Sequence, residues 1–134
     1  MTAIVCIDDR GGMLFNKRRQ SRDRVLIEDV ISDLSDKKIY ILEYSKLLFE
    51  MHEGKYEIVD DFLNVDGEDA VCFVENVDIT PYKNKINKLV IYKWNRVYPA
   101  DFYFPLDLKD YKLTQTAEFA GSSHENVTRE VYEL

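Results

Sequence analysis

The sequence predicts an α/β domain, and three observations lead to that class. Short apolar runs of strand character recur along the chain, at residues 2–7, 38–42, 70–74 and 89–94. A segment with helical spacing of apolar residues lies between the first two runs. The last quarter of the chain alternates in period two on either side of Gly121, which is typical of two antiparallel strands joined by a loop.

The first strand and helix follow directly from the start of the chain. Residues 2–7 form a buried strand, which ends at the turn-forming sequence DDRGG. The helix is predicted over residues 22–34, because Val25, Leu26, Val30, Ile31 and Leu34 recur at helical spacing. Ser21 is expected to accept hydrogen bonds from the free amides, and Asp23, in the first turn, to complement the positive helix end.

The middle of the chain continues with shorter elements. KIYIL at 38–42 is rich in β-branched and aromatic residues, and a short helix follows with Leu47, Leu48 and Met51 on one side. Residues 56–59 and AVCFV at 70–74 are predicted strands. Pro81 begins a short helix that runs to about residue 86, since a missing amide donor costs little in a first turn. The remaining strands are predicted at 89–94, 111–119 and 127–132.

Length and composition favour one domain, residues 1–134, because a chain of this length with 46% hydrophobic residues can close one core. No stretch approaches the ~20 apolar residues of a membrane span, and the start of the chain lacks the pattern of a signal peptide, so the expectation is a cytoplasmic protein with no membrane partner. Cys6 and Cys72 lie in apolar runs and suit buried thiols. The net charge of -7 opposes nonspecific binding to nucleic acid.

One short segment is strongly basic despite the acidic composition. Five of the 18 positively charged residues fall within eight positions: Lys17, Arg18, Arg19, Arg22 and Arg24. Such a run is typical of a solvated, mobile loop, and it is also what an anion-binding site requires. Both interpretations stay open at this point.

The sequence from residue 90 to residue 108 resembles the dihydrofolate reductase pattern of a strand, a loop with an aspartate, and then Phe-Pro before the last hairpin. Asp101, Phe104 and Pro105 occupy the matching places. YKLTQTAEF and REVYEL are similar to the last two strands of that family. The resemblance implies a three-layer domain with a central mixed, mostly parallel sheet and a carboxyl-terminal antiparallel hairpin.

The same resemblance gives Asp23 a candidate catalytic role. In that family an acidic residue in the first turn of this helix hydrogen-bonds the substrate ring and assists its protonation. Asp23 matches in place, although RRQSR replaces the apolar approach of the family. The alternative is a carboxylate that only stabilises a helix amino terminus.

The residues that would hold the cofactor depart from the family. Two adjacent glycines, linked by a cis peptide, lie there beside the dinucleotide, whereas Val74 and Glu75 stand at the matching positions. A cis bond between these two residues would cost about 3 to 4 kcal/mol, and the Glu75 carboxylate would repel a phosphate. The family's Gly-Arg-x-Thr is replaced by EYSK at 43–46. We therefore predict no cofactor-binding residues and disfavour NADPH.

In the related fold the basic segment lies over the substrate cleft. Lys17, Arg18, Arg19 and Arg22 are therefore expected to form a cationic lid. Beneath it, Tyr92 would contact an anionic small molecule, either a nucleotide or a phosphorylated metabolite.

Other chemistries are poorly supported. Two histidines, His52 and His124, are too few for the His-x-His-x-Asp-His cluster of a zinc-dependent ribonuclease, so no metal site is predicted. His124, beside Ser122 and Ser123, is expected in the last hairpin loop.

Three functions remain open: a binding or regulatory domain, a divergent oxidoreductase that uses Asp23 as the acid, and an interaction module, including a homodimer. The module would use exposed aromatic residues such as Trp94, Tyr98, Phe102 and Tyr103.

Overall fold

Ten strands and two helices make up the computed structural model, which describes residues 1–134. In chain order the strands are β1 (Thr2–Ile7), β2 (Gly12–Phe15), β3 (Arg18–Arg19), β4 (Ile39–Ile41), β5 (Tyr56–Ile58), β6 (Val71–Phe73), β7 (Lys88–Lys93), β8 (Phe102–Tyr103), β9 (Lys112–Phe119) and β10 (Val127–Glu133). The helices are α1 (Arg24–Ser32) and α2 (Lys46–Phe49). Five 3-10 turns lie between them, at Glu43–Ser45, Glu50–His52, Phe62–Asn64, Thr80–Lys85 and Leu108–Asp110. None of the helices is both long enough and apolar enough to cross a bilayer.

Seven of the strands form one sheet in the order β5-β4-β6-β1-β7-β10-β9. The first five in this order run parallel, while β10 is antiparallel to both β7 and β9. The prediction of a mixed, mostly parallel sheet with a carboxyl-terminal antiparallel hairpin is therefore confirmed.

Alternation along each strand divides the core into two layers around the sheet. On one face, residues such as Val90 and Tyr92 pack under α1. On the other face, Leu89 and Ile91 pack against the 3-10 turns and the long loops, through Phe62, Leu63, Ile79, Ile86, Leu106 and Tyr111. The predicted three layers are present, although the third consists of turns rather than helices.

Helix α1 begins and ends inside the predicted range of 22–34. Asp23 has an extended backbone and its Oδ1 accepts a hydrogen bond from the N–H of Leu26 at 3.0 Å, so Asp23 is the N-cap residue. The expectation that Ser21 caps the helix is wrong, and Asp23 precedes the first turn rather than lying in it. An ionised carboxylate accepts amide hydrogen bonds more strongly than a hydroxyl does, which favours Asp23 at the cap.

The short second helix presents a different side chain to the core from the one predicted. Phe49 is fully buried, whereas Leu47 is 46% exposed and Met51 is 87% exposed. The predicted apolar side of Leu47, Leu48 and Met51 is therefore wrong. The segment is broken into a 3-10 turn, four α-helical residues and another 3-10 turn, so a continuous 3.6-residue period does not apply to it.

A second, three-stranded sheet in the order β3-β2-β8 was not predicted. It contains the first part of the basic segment, Lys17 to Arg19, in a β-hairpin rather than a loop, whereas Arg22 follows the hairpin and Arg24 begins α1. Asn16 and Lys17 form its two-residue turn, with φ of 52° and 62°. Two consecutive positive φ values are the geometry of a type I′ turn, for which asparagine is a favoured first residue.

Candidate functional site

The carboxyl ends of β1, β6 and β7 meet beneath the hairpin β2–β3, where they form a central cleft with the start of α1. Its walls are provided by Cys6, Phe73, Val74, Glu75, Trp94, Asp23 and Leu26, and its roof by Met13, Arg19 and Gln20. The enclosed cavity has a volume of only about 20 Å³. This is room for a water molecule, whereas small-molecule sites typically enclose about 300 to 1,000 Å³.

An ion pair across the cleft accounts for its closure. Arg19 on β3 donates from Nε to Oε2 of Glu75 at 2.8 Å and from Nη2 to Oε1 at 3.0 Å, which is a bidentate geometry. The side chains are only 15% and 10% exposed. Glu75 also accepts a hydrogen bond from the hydroxyl of Ser45 at 2.7 Å, and the guanidinium of Arg19 stacks on the ring of Tyr44. The hairpin is thereby tied to the end of β6.

The charge on Arg19 is maintained in this enclosed position. Burial lowers the pKa of the guanidinium, but the hydrogen bonds and the charge of Glu75 outweigh burial and raise it above its ordinary value. The basic group that was expected to face a ligand is therefore already neutralised by a side chain of the same protein.

Asp23 lies at the other end of the cleft and is fully occupied as an acceptor. Its oxygens accept hydrogen bonds from the N–H of Leu26, from the N–H and hydroxyl of Ser122, and from the N–H and hydroxyl of Ser123, over distances of 2.8 to 3.3 Å. Burial raises the pKa of this carboxyl, but these hydrogen bonds outweigh burial and hold the pKa well below its usual range. The ionised carboxylate joins the start of α1 to the loop between β9 and β10.

A chain of hydrogen bonds continues from Asp23 to Tyr98. The hydroxyl of Ser123 donates to the ionised Asp23 at 2.8 Å, so its oxygen must accept from Nδ1 of His124, at 2.7 Å. The other ring nitrogen, Nε2, then accepts from the hydroxyl of Tyr98 at 2.6 Å. Burial and the charge of Arg96 lower the pKa of His124, although Asp23 raises it, so the ring stacked on Trp94 is neutral at pH 7.

The direction of these hydrogen bonds differs from that in a serine–histidine–aspartate catalytic triad. The proton of Ser123 is directed at Asp23 and not at His124, so no base activates the hydroxyl as a nucleophile. His124 lies in the last hairpin loop, as predicted, but it is buried there. The arrangement holds the loop in place.

The backbone at Gly121 lies against the Asp23 carboxylate, and a substitution at this glycine tests the contact. A Cβ atom built at Gly121 would overlap the Asp23 carboxylate. We expect Gly121→Ala to lower the free energy of unfolding by about 2 kcal/mol, because the carboxylate cannot move without losing its hydrogen bonds. Urea unfolding measures the effect. Ala120→Gly, which changes the exposed neighbouring residue, is the control, and an equal loss in both variants would show that crowding of Asp23 is not the cause.

Of the basic residues predicted to form a lid, Arg19 and Arg22 line the cleft, whereas Lys17 and Arg18 do not. Lys17 is exposed at the tip of the hairpin, and Arg18 is exposed on its outer side. Arg22 is exposed beside α1, where Arg24 pairs with Glu28. Arg19 alone among these residues is shielded from solvent, through its pairing with Glu75.

Tyr92 lies away from these residues. It is 1% exposed under α1, and its hydroxyl donates to Oδ2 of Asp29 at 2.7 Å. Arg129 donates to the same carboxylate oxygen at 2.9 Å. The expectation that Tyr92 lines the cleft beneath the basic segment is therefore wrong: the cleft is lined by Trp94, two residues later and just past the end of β7.

The surface carries two open grooves that were not predicted from the sequence. One, of about 430 Å³, lies between α1 and α2 and includes Arg22, Ile27, Leu47, Met51 and His52. The other, of about 490 Å³, lies between the hairpin and the loop after β7 and is lined by Phe15, Asn16, Arg18, Arg19, Gln20, Tyr98 and Pro99. The second groove depends on the hairpin turn at residues 16–17, for which Asn16 was the available signal.

The remaining candidate groups have structural roles or are buried. Asp8 accepts hydrogen bonds from the N–H groups of Arg10, Gly12 and Tyr98, as a turn residue does. The peptide bond between Val74 and Glu75 is trans. Among the aromatic residues considered for an interaction module, Trp94 is buried and Tyr103 is half exposed. No cluster of three or more His, Cys, Asp or Glu side chains is arranged to hold a metal ion.

Comparison with known proteins identifies the architecture. A dihydrofolate reductase from Enterococcus faecalis, solved in complex with NADP(H) and RAB-propyl, superposes with a TM-score of 0.69 over 98% of this chain and 94% of that one. The chain has the dihydrofolate reductase fold. This confirms the fold class that the resemblance of residues 90–108 implied. No protein-family model and no curated protein matches the sequence. At 9% identity the likeness to this dihydrofolate reductase shows the fold alone.

Proposed function

We propose that this chain is a binding or regulatory domain on the dihydrofolate reductase scaffold, without NADPH-dependent reductase activity. The observation that carries the proposal is the Arg19–Glu75 ion pair across the central cleft. A scaffold of this kind can take many functions, so function has to be argued from the side chains at the site.

The side chains around the cleft do not fit a nicotinamide dinucleotide. The enclosed cavity of about 20 Å³ is far smaller than an aromatic ring with its ribose and phosphates. Glu75 places a carboxylate at the end of β6, where it would repel a pyrophosphate. Removing that carboxylate from Arg19 to make space would leave a charged group enclosed without a partner, which is costly.

Asp23 is also poorly suited to act as the acid of a divergent oxidoreductase. A general acid works best when its pKa lies near the operating pH, and the pKa of this carboxyl is held well below its usual range. Five donors occupy its oxygens, which leaves no lone pair directed at a substrate. The hypothesis of a reductase that uses Asp23 therefore has less support than the binding domain.

An anionic small molecule is the ligand class that the remaining charges favour. Arg18 and Arg22 are exposed, form no ion pair, and each lines one of the two open grooves. A small ligand fits a groove of 430 to 490 Å³. A long nucleic acid would also meet the net charge of -7, which disfavours it.

Titration with NADPH tests the proposal. We expect no saturable quenching of Trp94 fluorescence, because this buried indole lines a cleft that the cofactor does not enter. We also expect no loss of nicotinamide absorbance when dihydrofolate is added. An active dihydrofolate reductase serves as the positive control in both assays. Tight, saturable quenching together with oxidation of NADPH would contradict the proposal and support reductase activity instead.

A further inference from the structure

We propose that the groove between the hairpin β2–β3 and the loop after β7 binds a nucleoside monophosphate. The groove is lined by Phe15, Asn16, Arg18, Arg19, Gln20, Tyr98 and Pro99. This inference rests on the proposed function, since it names the site and the chemical class of the anion. It places the ligand on the outer side of the hairpin, away from the closed cleft.

The cation of this groove is Arg18. Its side chain is exposed and forms no ion pair, in contrast to Arg19, whose charge is neutralised by Glu75. A guanidinium can donate two parallel hydrogen bonds to a phosphate, which gives both affinity and orientation. The groove therefore offers one uncompensated positive charge to a ligand that carries a phosphate.

The two ends of the groove are aromatic. Phe15 is 45% exposed, although it stands next to the turn of a hairpin, where a polar residue would cost nothing. Tyr98 is held in place, because its hydroxyl bonds His124 at 2.6 Å and its N–H donates to Asp8 at 3.1 Å. A fixed ring loses little entropy when a base stacks on it, and stacking of this kind contributes about 1 to 3 kcal/mol per base.

Gln20 adds a hydrogen-bond acceptor without a partner. Its Nε2 donates to the carboxylate of Asp8 at 3.2 Å, and a carboxylate only accepts, so the orientation of the amide is fixed. The other atom, Oε1, is buried and has no partner in the chain. This atom is enclosed, so a nucleobase N–H donor would satisfy it only after displacing a neighbouring side chain of the groove; every nucleobase carries such a donor.

The second groove suits this ligand less well. The groove between α1 and α2 contains Arg22 and Arg24, but Arg24 is paired with Glu28. Its other residues are mainly aliphatic or acidic: Ile27, Leu47, Leu48, Met51, Asp23 and Glu50, with Ser122 and His52. It offers no aromatic ring apart from His52, and Glu50 opposes a phosphate. Cation, rings and free acceptor occur together only on the outer side of the hairpin.

Calorimetric titration of the full chain with the four common nucleoside monophosphates tests the inference. We expect saturable binding of at least one of them, and at least tenfold weaker binding of its nucleoside and of inorganic phosphate. Arg18→Gln and Phe15→Ala should each weaken binding about tenfold, because each removes a separate contact. Lys38→Gln, at an exposed cation that lines neither groove, is the control and should change the affinity by less than about twofold. Arg22→Gln reports separately whether the other groove is used. Thermal unfolding confirms that the variants are folded.

Each of three other outcomes would contradict the inference, and each would do so for a different reason. Binding that is lost in Arg22→Gln and kept in Arg18→Gln would place the anion in the groove beside α1 and leave the proposed function intact. Equal binding of inorganic phosphate and nucleotide would show that no ring is recognised. Absence of binding for all the probes would remove this site, whereas the NADPH titration decides separately whether the chain is a reductase.

Discussion

Replacing Asp23 with alanine is expected to lower the free energy of unfolding by about 3 kcal/mol and the melting temperature by about 10 °C. The carboxylate is the common acceptor for the N–H groups of Leu26, Ser122 and Ser123, and the variant leaves all three without a partner in the protein. Loss of the helix cap alone costs about 1 kcal/mol. The rest comes from the two N–H groups of the hairpin loop.

Urea unfolding of the wild type and the variant measures the effect. Asp36→Ala is the control, because Asp36 is an exposed aspartate near the end of α1 without a hydrogen bond or ion pair, and we expect its effect to stay within about 0.5 kcal/mol. If Asp23→Ala were as stable as Asp36→Ala, the carboxylate would not join α1 to the loop. Asp23 would then be free for another role, and the case for a catalytic acid would gain support.

The same carboxylate gives a characteristic pH dependence. Because the folded-state pKa of Asp23 lies below that of the unfolded chain, its contribution to stability is complete above the unfolded pKa of about 3.9 and is lost as the pH falls toward the folded value. The difference in stability between the wild type and Asp23→Asn should therefore shrink between about pH 5 and pH 2. A difference that is constant over this range would show that ionised Asp23 is not stabilised by the fold.

The parallel core of the fold could be predicted because its signals are local. Runs such as residues 38–42 and 89–94 are apolar and β-branched, and a strand buried on both faces requires that composition wherever it stands. The small sheet was missed because strands as short as Arg18–Arg19 carry no periodic pattern. It depends instead on the backbone of Asn16 and Lys17, and on pairing with β8, far along the chain.

In the candidate site, too, residues recognisable from the local sequence could be predicted, whereas contacts between residues far apart in the chain could not. Asp23 was recognised because a helix start is visible in sequence, but its partners Ser122 and Ser123 lie 99 and 100 positions away. Arg19 was grouped with its basic neighbours on composition alone. Adjacent residues of a strand point to opposite sides, so Arg19 turns inward to Glu75 while Arg18 faces the outer groove. Tyr92 was misplaced because sequence does not show how far along β7 the cleft begins.

Breaking the Arg19–Glu75 pair from one side is the other change for which we expect a large effect. Glu75→Met or Arg19→Met alone should lower the free energy of unfolding by about 2 to 3 kcal/mol, because the remaining charge stays enclosed without its partner. The double variant replaces both charges with flexible apolar side chains, so it should be more stable than either single variant. A double-mutant cycle should therefore give a coupling free energy of at least about 2 to 3 kcal/mol.

The pair Arg24–Glu28 offers a matched comparison in the same protein. Its N–O distance is also 2.8 Å, but the side chains are 62% and 48% exposed, and an exposed pair four residues apart on a helix is worth about 0.3 to 0.5 kcal/mol. The ratio of the two coupling free energies measures how much burial strengthens the interaction between Arg19 and Glu75. If Arg19–Glu75 were coupled no more strongly than Arg24–Glu28, a ligand could separate the two side chains at little cost. The protein would then also populate conformations with an open cleft. The ion pair would no longer argue against binding of a dinucleotide there.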